Sequence, residues 1–123
     1  MPILDIEPVL DAHVAVDAGL AQRLADAAAG VFGSAPGRVW VRLRPLPAAQ
    51  YAENGAVVAE GERPTFVSVV HAHPPQGEAR AEEAAALTSA IASVLGRSAE
   101  RVHVQYAAAG AGRQAFGGRL ATS

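Results

Sequence analysis

An internal duplication restricts the fold of this chain more than any other feature of its sequence. The stretch 31–43 aligns without gaps with the stretch 94–106, and the two share Val, Gly, Arg, Val and Val at five of thirteen positions. The same offset of 63 residues pairs Leu24 with Leu87. A chain of 123 residues is long enough to bury one core. We therefore predict a single domain, residues 1–123, built from two copies of one structural unit.

Each copy is predicted to consist of a strand, a helix and a second strand. Apolar residues in both helical segments recur at spacings of four, three and four residues, which is typical of a helix with one buried face. These positions are Leu20, Leu24, Ala27 and Val31 in the first copy and Ala84, Leu87, Ile91 and Val94 in the second. Gly33 and Gly96 follow the two helices at the place of a left-handed C-terminal cap.

Alternating apolar and polar residues at 38–44 and 101–106 predict the strand that follows each helix. A helix that connects two strands of one sheet makes them parallel and packs on one face of the sheet. We therefore predict an α+β fold, a four-stranded sheet with two helices on the same face. The other face carries the single tryptophan, Trp40, and the mostly apolar stretch 66–70. We expect other subunits to bury that face.

The repeat also divides the chain into segments. The first repeat spans about residues 2–46 and the second about residues 65–109. A connecting hairpin at 47–64 and a C-terminal tail at 110–123 complete the domain. A mobile rim of an active site is the alternative interpretation of the connecting segment.

The composition excludes several partners and chemistries. A net charge of −2 and a pI near 6.0 give no electrostatic footprint for nucleic acid or for an anionic membrane. The absence of cysteine excludes disulfides and thiolate chemistry. No apolar run approaches the roughly 20 residues of a membrane span and no leader precedes the first strand, so we expect a cytoplasmic protein. His71 and His73 have a spacing that metals accept, but no third ligand is obvious nearby, so we expect no metal site.

Pro2 stands directly behind Met1 at the start of the first predicted strand. Proline has no N–H for a sheet ladder, so it can simply begin an edge strand. If Met1 is removed, however, Pro2 becomes a free secondary amine. The reference pKa of an α-amino group is roughly 7.7 to 8.0, and burial or nearby cations lower it. Such an amine suits general-base catalysis.

The chain resembles the tautomerase superfamily, which includes 4-oxalocrotonate tautomerase, 5-carboxymethyl-2-hydroxymuconate isomerase and macrophage migration inhibitory factor. The resemblance rests on Pro2 behind Met1, on the duplication, and on the passages GSAPGRVWVRL, GRSAERVHVQY and AFGGRLA. It implies β-α-β duplications that assemble as homotrimers with active sites between subunits. It also implies that Pro2 is the general base of a tautomerase that interconverts enol and keto forms of a small carboxylate, without metal or organic cofactor.

The substrate-binding residues match the superfamily less closely than Pro2 does. Arginines are expected to hold the substrate carboxylate, and Arg80 and Arg42 match best, with Arg38 on the face of Arg42. The alternative for Arg80 is a solvated residue in the first turn of the helix that pairs with Glu82 or Glu83.

Trp40 and His103 stand where short tautomerases carry an arginine. His103 is expected to orient a substrate, although a structural histidine is the alternative. The family's aromatic wall matches Phe116, with Tyr51 as its counterpart in the first copy.

Other functions remain open from the sequence. A β-α-β duplication alone is also compatible with a ferredoxin-like ligand-binding domain, in which Pro2 would have no role. The mismatches at Trp40 and His103 are compatible with a diverged trimer that serves as a non-catalytic binding module.

A dehalogenase, hydratase or decarboxylase of the same superfamily is a further alternative. In such dehalogenases and hydratases, an acidic residue near the C-terminal strand activates water. The segment 101–123 of this chain contains neither Asp nor Glu. This favours proton transfer over the activation of water, although Glu53, Glu60 and Glu62 of the middle loop keep the alternative open.

Overall fold

One mixed sheet with two helices on one face forms the body of the molecule. The computed structural model describes residues 2–122; the predicted loss of Met1 concerns a residue outside this range. The helices are α1 (Leu20–Phe32) and α2 (Gly77–Leu95). The strands are β1 (Ile3–Leu10), β2 (Trp40–Leu43), β3 (Leu46–Pro47), β4 (Thr65–Val70), β5 (Val102–Tyr106), β6 (Ala115–Phe116) and β7 (Arg119–Leu120).

The strand order confirms the predicted fold. The sheet runs β2-β1-β4-β5, and the short strand β3 also pairs with β1. Strands β1 and β2 are parallel, as are β4 and β5, so each copy forms one β-α-β unit. The two units meet through the antiparallel pair β1 and β4, in which Ile3 lies opposite Val70 and Glu7 opposite Phe66. This central pair places the start of β1 beside the end of β4.

The core lies between the sheet and the helices. Side chains alternate between the two faces of a strand, and alternate buried residues of β1 and β4 pack against the helices. These core residues are Leu4, Ile6, Val67 and Val69 from the sheet and Leu24, Leu87 and Ile91 from the helices. Three of the predicted helical positions, Leu24, Leu87 and Ile91, are thus fully buried.

Each helix ends at the predicted glycine. Gly33 has a φ of 62° and Gly96 a φ of 66°, and the amide of each donates to the carbonyl of a residue in the last turn. Residues other than glycine adopt this left-handed conformation only with strain. The two glycines therefore fix the point at which the chain turns back into β2 and β5.

The sheet face that carries no helix, here called the outer face, has an apolar part and a charged part. Trp40 and Phe66 are 44% and 37% exposed there. The short hairpin of β6 and β7 covers one end of the face, where Phe116 contacts Trp40 edge to face at 5.3 Å between ring centroids. The connecting segment 47–64 contains one isolated antiparallel bridge, between Glu53 and Ala56. None of the described helices is long and apolar enough to cross a membrane.

Candidate active site

Pro2 lies at the edge of a cleft between the sheet and the end of α1. The residue is buried, and its carbonyl oxygen accepts a hydrogen bond of 3.1 Å from the amide of Trp40. The cleft has a volume of about 290 Å³. Its lining consists of Pro2, Phe32, Ser34, Ala35, Arg38 and His71. This hydrogen bond fixes the residue before β1 at the wall of the cleft.

The charge in this cleft is positive. Arg38, in the loop before β2, is exposed, and no acidic side chain contributes to the lining. Burial and a nearby cation both disfavour the protonated form of an amine. A free amine at Pro2 would therefore have a pKa below the usual range of an α-amino group, and a bound anion would meet Arg38.

His71 is the second titratable residue of the cleft. It follows β4, and the register of β1 and β4 continued by one residue places it directly beside Pro2. Its ring contacts Phe32 edge to face, with 5.5 Å between centroids, and its Nε2 lies 3.7 Å from Oε1 of Glu83. Burial lowers the pKa of His71, so the imidazole is neutral at neutral pH. The sequence showed this histidine only as a member of a His-Ala-His pair.

Behind His71, three polar side chains from α2 and β5 lie close together. Burial raises the pKa of Glu83, and burial together with the charge of Glu83 raises the pKa of Tyr106 to about 12. The guanidinium of Arg80 lies 5.4 Å from the centroid of the Tyr106 ring, and its Nε donates to the carbonyl of Pro75 at 2.6 Å. Arg80 therefore belongs to the surroundings of the cleft but not to its lining.

The structure places the other predicted site residues on the outer face. Arg42 forms a bidentate ion pair with Asp5, with nitrogen–oxygen distances of 2.6 and 2.9 Å. Within one chain this arginine faces away from Pro2. Phe116 packs on Trp40, as described above. The single chain thus brings Pro2 and Arg38 together and holds Arg42 and Phe116 apart from them.

Tyr51 and His103 belong to an aromatic row on the outer face. Phe66 stands between them, with ring centroids 5.8 Å from Tyr51 and 5.7 Å from His103. The Tyr51 hydroxyl donates to the carboxylate of Glu53, which also accepts a hydrogen bond of 2.8 Å from Arg101. The hydrogen bonds from Tyr51 and Arg101 hold the pKa of Glu53 below its usual range.

The corresponding place in the second copy has a cavity of about 250 Å³, lined in part by Leu95, Arg97 and Ser98, but no proline at the position of Pro2. The 63-residue offset maps Pro2 onto Thr65 and a residue of the cleft wall onto Arg97. The guanidinium of Arg97 donates to the carbonyl oxygens of Arg63 at 2.6 Å and of Val9 at 2.9 Å. Thr65 also lies within the chain, so its nitrogen is an amide. Each chain therefore presents one candidate site of this kind.

We expect Arg97→Ala to lower the free energy of unfolding by about 2 kcal/mol, because two carbonyl groups lose a charged donor. Thermal and urea unfolding at fixed protein concentration measure the loss. The control is Arg113→Ala, which removes an exposed arginine at the C-terminal hairpin. Equal stability of the two variants would show that the Arg97 hydrogen bonds contribute nothing.

No group of three His, Asp or Glu side chains within residues 2–122 is arranged to hold a metal ion. His71 and His73 differ in their surroundings, since His71 is partly buried beside Glu83 and His73 is exposed.

Comparisons with known proteins identify the fold. No protein-family model and no curated protein sequence matches this chain. Among solved structures, a fused 4-OT wild-type asymmetric trimer is 22% identical with a TM-score of 0.73, over 97% of this chain and 95% of that one. Pt0534 inactivated by 2-oxo-3-pentynoate is 20% identical with a TM-score of 0.74, over 97% and 95%.

A third similar structure is named as a macrophage migration inhibitory factor homologue, a group that the sequence also resembles. The macrophage migration inhibitory factor homologue from Prochlorococcus marinus is 20% identical with a TM-score of 0.70, over 97% of this chain and 98% of that one. Coverage is nearly complete in all three comparisons, so the likeness concerns the whole β-α-β duplication. The chain shares its fold with the 4-OT and macrophage migration inhibitory factor structures.

Proposed function

We propose that the protein is a tautomerase that moves a proton between the enol and keto forms of a small carboxylate, with Pro2 as its general base. The observation that carries the proposal is the position of Pro2, buried at the wall of a cleft whose charged lining residue is Arg38. The fold is that of proteins named as 4-OT and as macrophage migration inhibitory factor. The proposal requires the removal of Met1, because only a free amine can accept a proton.

The chemistry of the step follows from the pKa of that amine. An α-amino group titrates at roughly 7.7 to 8.0, and the burial and positive charge at this site lower that value. Near neutral pH both protonation states are then populated. The free amine takes a proton from the carbon of a keto acid, and the protonated amine returns one to the carbon of the enol. The step as written needs neither a metal nor an organic cofactor.

Arg38 is proposed to bind the carboxylate of the substrate. It is the cation of the cleft lining, and a guanidinium fork binds a carboxylate in a bidentate manner. Arg80 is proposed to support the site from behind through Tyr106. A substrate of this class contains an α-keto or 2-hydroxydienoate group, in which the carboxylate adjoins the carbon chain that gains or loses the proton.

A homotrimer is proposed to complete the site. The outer face exposes Trp40 and Phe66, and β2 and β5 are the open edges of the sheet. Exposed apolar surface and open strand edges favour association, and the similar fused 4-OT structure is a trimer. In such an assembly, the outer-face residues of one subunit approach the Pro2 cleft of a neighbour. Those proposed for substrate contact are Arg42, Tyr51, His103 and Phe116.

The direct test is the ketonisation of phenylenolpyruvate and of 2-hydroxymuconate, followed by absorbance. We expect rates well above those in buffer for protein whose intact mass shows the loss of Met1. The mass measurement separates an unprocessed amino terminus from an inactive site. Processed protein that accelerates neither substrate, but turns over a 3-haloacrylate, would contradict the proposal and favour a dehalogenase. Failure on all of these substrates would favour a binding module.

A further inference from the structure

Polar side chains are concentrated beside Pro2 on the face of the sheet that otherwise packs against the helices. His71 comes from the end of β4, Glu83 from α2 and Tyr106 from β5. Within residues 2–122, four buried side-chain atoms have no hydrogen-bond partner, and three of them are His71 Nδ1, Glu83 Oε1 and the Tyr106 hydroxyl. Burying polar atoms without partners costs stability, so such groups call for a functional explanation.

Glu83 and Tyr106 interact with each other, and His71 connects this pair to the cleft. It lines the same cleft as Pro2 and lies next to it across the β1–β4 pair. The carboxylate of Glu83 is 3.7 Å from its Nε2, close enough to stabilise a positive charge on the imidazole. A tautomerisation has two ends, a carbon and an oxygen, and Pro2 accounts for the proton at the carbon.

We propose, on the basis of the tautomerase function above, that His71 is the proton-transfer group for the oxygen end of the substrate and that Glu83 positions and stabilises it. In ketonisation, the enol O–H bond breaks as its proton bonds to Nε2 of the imidazole, the nitrogen beside Glu83, and the oxygen becomes a carbonyl. The electron pair of the C=C bond takes the proton of the Pro2 ammonium to form the new C–H bond. Pro2 is then neutral and His71 charged, and transfer of one proton from His71 to Pro2 restores the starting state.

The charges around His71 fit a mechanism in which Pro2 acts at the carbon and His71 at the oxygen. Charged and titratable groups surround His71 on several sides. Glu83 of α2 lies beside it, and Arg80 and Tyr106 are next to Glu83. Arg38 lies across the cleft, and His73 is two residues along the chain.

Burial lowers the pKa of His71, and burial beside Arg38 lowers that of the Pro2 amine; the proposal requires that the amine keeps the higher pKa, which is the order of the two reference values. In the pH range between the two pKa values the pair holds one proton, on Pro2. That is the state from which ketonisation starts.

The test compares the pH profiles of kcat for ketonisation in the wild type, His71→Gln and Glu83→Gln, from about pH 5 to about pH 9. In the wild type, kcat should fall on the acid side as His71 becomes protonated. His71→Gln should lower kcat by about 10²-fold with little change in KM, and the acid limb should disappear. Glu83→Gln should move the acid limb to lower pH, because the imidazolium loses its carboxylate. His13→Gln, an exposed histidine far from the cleft, is the matched control.

The outcomes separate this inference from the proposed function. Absence of turnover in processed wild-type protein would overturn both. If the wild-type activity requires Pro2 but His71→Gln has an unchanged kcat, the role of His71 alone is overturned. A lower kcat with an unchanged acid limb would show that His71 is only structural. Melting curves identify a variant that fails to fold. If His71→Gln fails to fold, the presence or absence of the shift of the acid limb in Glu83→Gln tests the role of His71.

Discussion

Replacement of Pro2 by alanine should lower kcat for ketonisation by about 10²- to 10⁴-fold, the usual contribution of a general base. Alanine leaves a primary amine that rotates freely about its N–Cα bond, whereas the ring of proline blocks this rotation and fixes the direction of the nitrogen lone pair. The hydrogen bond from the amide of Trp40 to the carbonyl of Pro2 can also form when residue 2 is alanine. The loss therefore measures the placement and basicity of the ring nitrogen.

A chain that keeps Met1 provides the stricter form of this experiment. Its Pro2 nitrogen is an amide, which has no basic lone pair, so the rate should equal that in buffer. Pro45→Ala, at an exposed proline remote from the cleft lining, is the control and should retain wild-type rates. A Met1-retaining chain that still accelerates ketonisation would remove Pro2 from the mechanism. The base would then have to be another group of the cleft, and His71 is the candidate.

Local sequence patterns predict the fold well because each copy is a local structure. The spacing of Leu24, Leu87 and Ile91 predicts the buried sides of the helices, and Gly33 and Gly96 predict where those helices end. These features depend on contacts between neighbouring residues, or between elements joined by a short loop. The same patterns, repeated at a fixed offset, predict two parallel pairs of strands.

The register between the two copies is not a local property. Nothing in the sequence of either copy specifies that β1 pairs with β4 so that Ile3 meets Val70. The approach of His71 to Pro2 follows from this register alone, so sequence patterns could not reveal it. The pairing of Arg42 with Asp5 likewise depends on the register of β1 with β2. The substrate-binding roles of Arg42 and Arg80 remain predictions.

Substitution of Phe66 by glutamate should dissociate the protein into monomers. In the wild type, light scattering should give a mass about three times that of the 12.6 kDa chain. Phe66 is partly exposed at the centre of the aromatic row on the outer face, between Tyr51 and His103. A carboxylate at this position would be buried without a partner in a subunit interface, and such burial strongly disfavours association.

The matched control is Ala85→Glu, which places the same charge on the exposed side of α2. It should leave both the mass and the activity unchanged. If a neighbouring subunit completes the site, Phe66→Glu should lose activity together with its mass, although its cleft and its Pro2 amine are intact. A monomeric variant of full activity would show that one chain contains the whole site. A wild type that is itself monomeric would contradict the trimer and leave the outer face open to another partner.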